Sequence, residues 1–172
     1  FFLTLFILIF SLSVENSFGS SEPIFITQSS SMENIVFDGK WTNYLEWKQS
    51  SHNIVSFDNG KEILHLRTAH YGDYIYVFVD PITDLTIDNN MDEATICFDG
   101  NNNKNEFFEN DDFCFSILLE TNQGNIFQGT LIENSKTIMK KISNPENFIA
   151  ISTVSDENDR YTDIPHPCYE FR

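Results

Sequence analysis

Asp99, Asn101, Asn103 and Asn105 alternate along one polar stretch, and Asp111 and Asp112 close it. Oxygen donors at alternate positions of a turn suit a hard cation, and calcium takes about 6–8 oxygens in a flexible shell. The set lacks the central glycine and the terminal glutamate of a helix–loop–helix calcium site, so it is not one of those. The alternative is a hairpin loop rich in Asn because Asn tolerates turn conformations. Two aspartates at the loop base favour a structural Ca2+, since carboxylates facing each other repel without a cation.

A second set is aromatic. Trp41, Tyr44 and Trp47 are spaced by three, and Tyr71, Tyr74 and Tyr76 cluster further on. Sugar rings stack their C–H faces on exposed aromatic rings, so Trp41, Tyr44 and Tyr71 are candidates for a carbohydrate platform. Trp41, beside the Gly39 turn, is expected to be exposed, and Trp47 to seal the core. Tyr74 and Tyr76 share a face, and either suits the core. His52, His65, His70 and His166 show no metal-ligand spacing, and Met32, Met91 and Met139 are scattered. Haem held by His and Met has no local signature here. There is no G-x-S-x-G, P-loop or dinucleotide glycine pattern. Acidic residues are too numerous to single out a glycosidase pair. The domain is expected to be non-catalytic.

The elements that position these groups start with a hairpin. Glu93 to Asp99 and Asp112 to Leu119 both alternate apolar and polar residues, which predicts two strands. Pairing Ile96 with Phe115 sets Phe98 against Phe113 and Ala94 against Ile117 on one face. Cys97 then meets Cys114, and Thr95 meets Ser116, on the other. A one-residue slip would break every match, so the register is well specified. A cross-strand disulfide Cys97–Cys114 is expected to close the acidic loop. Two buried free thiols are the alternative. Cys168 is left over, and its partner could lie beyond residue 172.

Further strands are expected at Pro23–Thr27, Ile35–Gly39, Ile54–Phe57, Glu62–Thr68, Asp73–Val79, Gly124–Glu133, Lys136–Ile142, Phe148–Val154 and from Tyr169 onward. Asp58-Asn59-Gly60, Ala69–Gly72 and Asn134-Ser135 are the turn signals between them. Thr42–Gln49 reads as one or two helical turns or an irregular loop, and Ser155–Pro167 as a surface loop. No amphipathic helix and no internal repeat is evident. The pattern predicts an all-β, two-sheet antiparallel β-sandwich, jelly-roll or immunoglobulin-like, truncated at its C-terminus.

The chain has 172 residues, enough for one domain with a core, and 17 of them are Phe, which favours strands. Acidic residues number 26 against 10 basic ones, a formal charge of −16. That argues against a nucleic-acid partner, which needs Lys and Arg to displace counterions, and against docking on an anionic membrane. Phe1 to Phe10 is apolar but too short to span a bilayer, and Ser17 and Gly19 follow. It reads as a signal peptide over residues 1–19 that lacks its own start, with cleavage near Gly19–Ser20. An uncleaved lipid-embedded anchor is the alternative. Residues 20–34 then form a lead-in, and 35–172 an incomplete sandwich. The expected location is secreted or cell-surface.

Several of these stretches carry a resemblance. Phe37-Asp38-Gly39-Lys40, followed by Glu46-Trp47, is similar to the opening D-G…E-W of family 9 carbohydrate-binding modules. The likeness extends to the wider group of DOMON-like sandwiches, which includes haem-binding domains. Asp73-Tyr74-Ile75-Tyr76-Val77 resembles the D-x-x-L-Y-V strand, and Asp84 the Asp that follows it. Asp92 to Asp99, with the Asn-rich loop and Asp111-Asp112, is similar to the D-x-x-E-I-F-x-D…D-D hairpin. Tyr169-Glu170-Phe171 resembles the late Y-x-x-E strand. The resemblance implies a sandwich with structural calcium that binds a glycan or cell-surface polysaccharide between aromatic rings. A membrane anchor outside residues 1–172 is compatible with it. A haem-binding electron-transfer sandwich and a calcium-stabilised cell-surface structural domain are the alternatives. The departures are Thr or Ile where the family hairpin has Glu, and the added cysteines. The two stacking tryptophans of the sugar-binding branch are left unassigned between Trp41, Trp47 and other positions.

Overall fold

The computed structural model describes residues 23–172 except 90, 106 and 133–135. The signal-like segment 1–19 and the Asn134-Ser135 turn therefore lie outside the described residues. Ten strands follow in order: β1 Thr27–Gln28, β2 Ser51–Phe57, β3 Glu62–Tyr71, β4 Tyr74–Asp80, β5 Glu93–Asp99, β6 Asp112–Leu118, β7 Asn125–Ile132, β8 Lys136–Ile142, β9 Ala150–Val154 and β10 Pro167–Phe171. One sheet runs β1-β3-β4-β10-β9, with β2 also paired to β3, and the other runs β5-β6-β7-β8. All the pairings are antiparallel except the short β1–β3 contact. The architecture is an all-β sandwich of two open sheets.

The β5–β6 register is the one that the alternation dictates. Ile96 pairs with Phe115, Phe98 with Phe113, Ala94 with Ile117, Cys97 with Cys114 and Thr95 with Ser116. Ala94 and Ile117 belong to the core between the sheets, together with Leu66, Val77, Val79, Tyr169 and Phe171. Ile96, Phe98 and Phe115 pack against it. Cys97 and Cys114 form the disulfide, on the face turned away from that core.

The larger sheet is apolar on both faces. β4 alternates between the two: Val77 and Val79 face the other sheet, while Tyr76 and Phe78 face a second cluster with Met32, Trp41, Trp47, Ala69 and Cys168. That is why its sequence, YIYVFVD, reads as almost continuous hydrophobicity, as expected of a strand covered on both sides. The second face is covered by the segment preceding β2, in which residues 44–49 form turns.

The strand expected at Ile35–Gly39 does not form, and these residues make no sheet pairing. The reason is local. The Asp38 and Gly39 N–H groups donate to the buried Glu170 carboxylate at 2.9 and 2.8 Å, so they are not free for a sheet ladder. Gly39 sits at φ +90°, and a Cβ there would come within 2.7 Å of the Ser152 carbonyl carbon. Only glycine lets this turn approach β9 so closely.

Candidate functional site

Pairing of β2 with β3 sets His52 opposite Arg67 and Ile54 opposite His65. These side chains share the outer face of the larger sheet with Phe78 and Asp80. The loop from 155 to 166 folds over them and brings Arg160 and Tyr161. The result is a continuous strip of rings and cations. Tyr161 stacks on His65 with ring centroids 3.8 Å apart and on His52 at 5.4 Å. Its hydroxyl accepts a 2.8 Å hydrogen bond from Arg67 Nε. The Arg67 guanidinium lies 5.1 Å from the Trp41 ring centre. Arg160 reaches both Trp41, at 5.5 Å, and Tyr44, at 5.1 Å. Lys48 sits 4.4 Å over Tyr44.

His52 and His65 also touch directly, Nε2 to Nδ1, at 2.7 Å. Burial, then the neighbouring His52 and Arg67 charges, pull His65 down to about 4, and burial lowers His52 too. Both rings are neutral at physiological pH, which leaves Lys48, Arg67 and Arg160 as the fixed positive charges of the strip. In a chain of formal charge −16, that clustering is a local exception.

The expected platform residues are thus partly regrouped. Tyr44 is exposed and joins the strip. Trp41 is a correction: it is 8% exposed rather than open to solvent. Its indole N–H donates to the Asn43 carbonyl at 2.6 Å, and its ring is closed in by Tyr161, Arg67 and Arg160. Tyr71 lies four residues beyond Arg67 along β3, roughly 13 Å away at strand spacing. It packs near Glu33, outside the strip. Trp47 is fully buried, as its core assignment requires, and Tyr76 is buried with it. The residues that sequence reasoning missed are His52, His65, Arg67, Arg160 and Tyr161. The Asp58-Asn59-Gly60 turn implied the hairpin that brings the two histidines together. Nothing in the polar stretch Ser155–Pro167 marked Arg160 and Tyr161.

The loop between β5 and β6 gathers Asp99, Asp111 and Asp112, each offering one oxygen, with these oxygens within 4.8 Å of one another. Asp99 and Asp112 are direct cross-strand partners. Asp99 accepts N–H bonds from Lys104 and Asn103, and these hold its carboxyl below the usual carboxylate range. Asp111 accepts from Asn101 N, and Asp112 Oδ2 from Glu109 N at 2.6 Å. Asp112 is 8% exposed, and its buried Oδ1 has no partner among the described residues. An orphaned, buried carboxylate oxygen beside two further carboxylates is a donor set that fits a hard divalent cation.

The asparagines of the expected calcium set behave differently. Asn103 and Asn105 donate their side-chain amides to Glu109, at 2.6 and 2.8 Å, and so brace the loop. Asn101 contributes its backbone N–H, through the bond to Asp111. The disulfide lies two residues before Asp99 and two after Asp112, at the base of this loop.

The stretches Asp38-Gly39, Trp47 and Glu170, noted above for their family likeness, converge on one atom group. Glu170 accepts from the Asp38 and Gly39 N–H groups and, at 2.9 Å, from Trp47 Nε1. Burial pushes its carboxyl up to about 8, against three donors that favour the ionised form. This knot ties the covering segment to β10.

An apolar cleft of about 1070 Å3 opens between the sheets beside β5. Its walls include Ile24, Val55, Leu64, Ile96, Met91 and Tyr169. Cys168 is fully buried and bonds to no other cysteine among the described residues. No protein-family model, no curated protein and no solved structure matches the chain.

Proposed function

We propose that this domain is a non-catalytic carbohydrate-binding module, acting outside the cytoplasm and stabilised by calcium at Asp99, Asp111 and Asp112. The observation that carries the reading is the strip of Tyr44, Trp41, Tyr161, His65 and His52 interleaved with Lys48, Arg67 and Arg160. Aromatic faces bind the C–H surfaces of sugar rings, and long cations beside them favour sugars that carry carboxylates. Tyr44, at 55% exposure, is the first ring a ligand would meet. An incoming uronate would displace Lys48 or Arg160 from the ring face while keeping its charge paired.

The test is titration with neutral and uronic-acid oligosaccharides, followed by tryptophan emission and calorimetry. Acidic oligosaccharides are expected to shift emission through Trp41, and Tyr44→Ala to weaken binding about tenfold, the loss of about 1.4 kcal/mol. Unchanged emission and no heat across both panels would overturn the reading.

A second reading rests on the cleft. Its apolar walls and volume suit a flat hydrophobic cofactor such as haem, with Met91 and Tyr169 as residue types able to ligate iron. It predicts a Soret band after haem addition that is lost on replacing Met91. A flat visible spectrum removes it.

A further inference from the structure

Directly beneath the loop that carries Arg160 and Tyr161 lies a second cluster, built from β4, that loop and β10. The β4–β10 register sets Tyr169 against Val79, which places Cys168 opposite Asp80. His166, two residues before Cys168, points to the same face. Asp159 reaches in from the covering loop. Each of the four offers one ligand atom, and all these atoms lie within 4.8 Å of one another. Asp80, His166 and Cys168 are wholly buried.

The polar accounting of this cluster does not close. Asp80 Oδ1 meets His166 Nε2 at 2.5 Å and the Cys168 thiol at 3.7 Å, while Asp80 Oδ2, equally buried, has no partner among the described residues. Among those residues, His166 is also the one basic group in salt-bridge contact with Asp80, and none contacts Asp159. Two carboxylates, a thiol and one imidazole therefore share a buried site with a surplus of negative donors. A buried carboxylate oxygen without a partner, on a side chain whose other oxygen touches the imidazole and the thiol, is a donor that a bound cation would satisfy.

We propose that Asp80, Asp159, His166 and Cys168 bind a thiophilic divalent cation of the zinc class. Zinc takes four N, O and S ligands tetrahedrally at about 2.0–2.3 Å, which sets neighbouring donors about 3.5 Å apart. To reach that spacing, ligand atoms now within 4.8 Å of one another would close toward it, while Asp80 Oδ1 and His166 Nε2, now 2.5 Å apart, would open to admit the ion. Mixed carboxylate, imidazole and thiolate donors suit zinc and not calcium or magnesium, which take oxygen alone. The imidazole is already oriented for the task. His166 Nδ1 lies 2.8 Å from the Ile164 carbonyl and 2.9 Å from Ser155 Oγ, and in the tautomer that donates from Nδ1 to the carbonyl the Nε2 lone pair is left for the metal. This is the outer hydrogen bond that metal-bound histidines characteristically make. Binding replaces the Asp80–His166 contact with two bonds to the ion and sends the Cys168 thiol proton, and any proton held on Nε2, to solvent. Because Asp159 accepts from Tyr161 N and Thr162 N at 2.8 and 3.1 Å, the bound ion would fix the turn that presents Arg160 and Tyr161.

The experiment is Co2+ titration of the full chain with its disulfide intact, followed by displacement with Zn2+. The expected result is one equivalent of cobalt with a thiolate-to-metal charge-transfer band in the near ultraviolet, bleached by zinc. That band reports Cys168 alone, because Cys97 and Cys114 are bonded to each other. Cys168→Ser is expected to abolish it. Asp159→Asn, which keeps an oxygen to accept from Tyr161 N and Thr162 N, is expected to weaken cobalt binding by about tenfold or more, as loss of even an outer partner does. Should Cys168→Ser fail to fold, Asp159→Asn and the wild-type spectrum still decide. Cobalt bound without the band, no cobalt bound at all, or unaltered affinity in Asp159→Asn would each overturn the proposal.

Discussion

At the scale of single residues, the two groups with the clearest energetic signatures are His65 and Glu170. His65 is packed between His52 and Tyr161, and its pKa falls from 6.5 to about 4 because burial disfavours the charged ring. The folded chain keeps it neutral where the unfolded chain protonates it. Its contribution to stability is therefore full above pH 6.5 and is lost as the pH falls toward about 4. Melting temperature against pH is expected to fall less steeply over that window in His65→Gln than in the wild type, and parallel curves would remove the assignment. Glu170 accepts three N–H donors at a fully buried position. Gln there presents a single acceptor oxygen and turns an NH2 toward donors. Glu170→Gln is expected to cost about 3 kcal/mol in urea unfolding, the range for stranding buried hydrogen-bond partners. A loss under about 1 kcal/mol would mean that the donors find other partners.

At the scale of elements, the β5–β6 hairpin is the unit that joins core, covalent bond and acidic loop. The disulfide spans a sequence separation of 17, and closing a loop of that length constrains the unfolded chain by about 3 kcal/mol. The double variant Cys97→Ser/Cys114→Ser is expected to lose about that much stability, measured by urea unfolding under matched conditions. An unchanged midpoint would show that β5–β6 pairing alone holds the loop base. This hairpin was also the most legible part of the chain, because period-two alternation in both strands admits one register and the cysteines fall into it. Ile35–Gly39 was misread for the opposite reason. Its apolar run looks like a strand, but its N–H groups are claimed by Glu170, 131 and 132 residues away, and no local pattern encodes that. The same holds for the outer strip. Tyr44 and Trp41 were visible as residue types, whereas Arg160 and Tyr161 arrive from a loop whose path the surrounding sequence does not specify. Trp41 was misjudged because the ring that buries it, Tyr161, is 120 positions away in a segment with no strand signal.

At the scale of the whole molecule, charge and architecture act against each other. A formal charge of −16 on 172 residues repels itself more strongly in the compact state than in the extended one. The described ion pairs relieve little of this. Lys40–Asp156 and Lys61–Asp58 are both partly solvated, and His166–Asp80 is internal. Stability should therefore rise with sodium chloride, as screening shortens the range of the repulsion. Calcium should do more than its ionic strength accounts for, because three carboxylates and the orphaned Asp112 Oδ1 converge at one point. A ligand that binds only the folded state raises the melting temperature in proportion to the logarithm of its concentration over Kd. The decisive comparison is thermal unfolding in calcium chloride against sodium chloride at matched ionic strength, for the wild type and Asp112→Asn. Both proteins are expected to gain equally from sodium chloride, and only the wild type to gain further from calcium. Equal curves in the two salts for the wild type would reduce the Asp99, Asp111 and Asp112 cluster to part of the diffuse surface charge. A calcium gain that survives in Asp112→Asn would place the ion on other carboxylates of the chain.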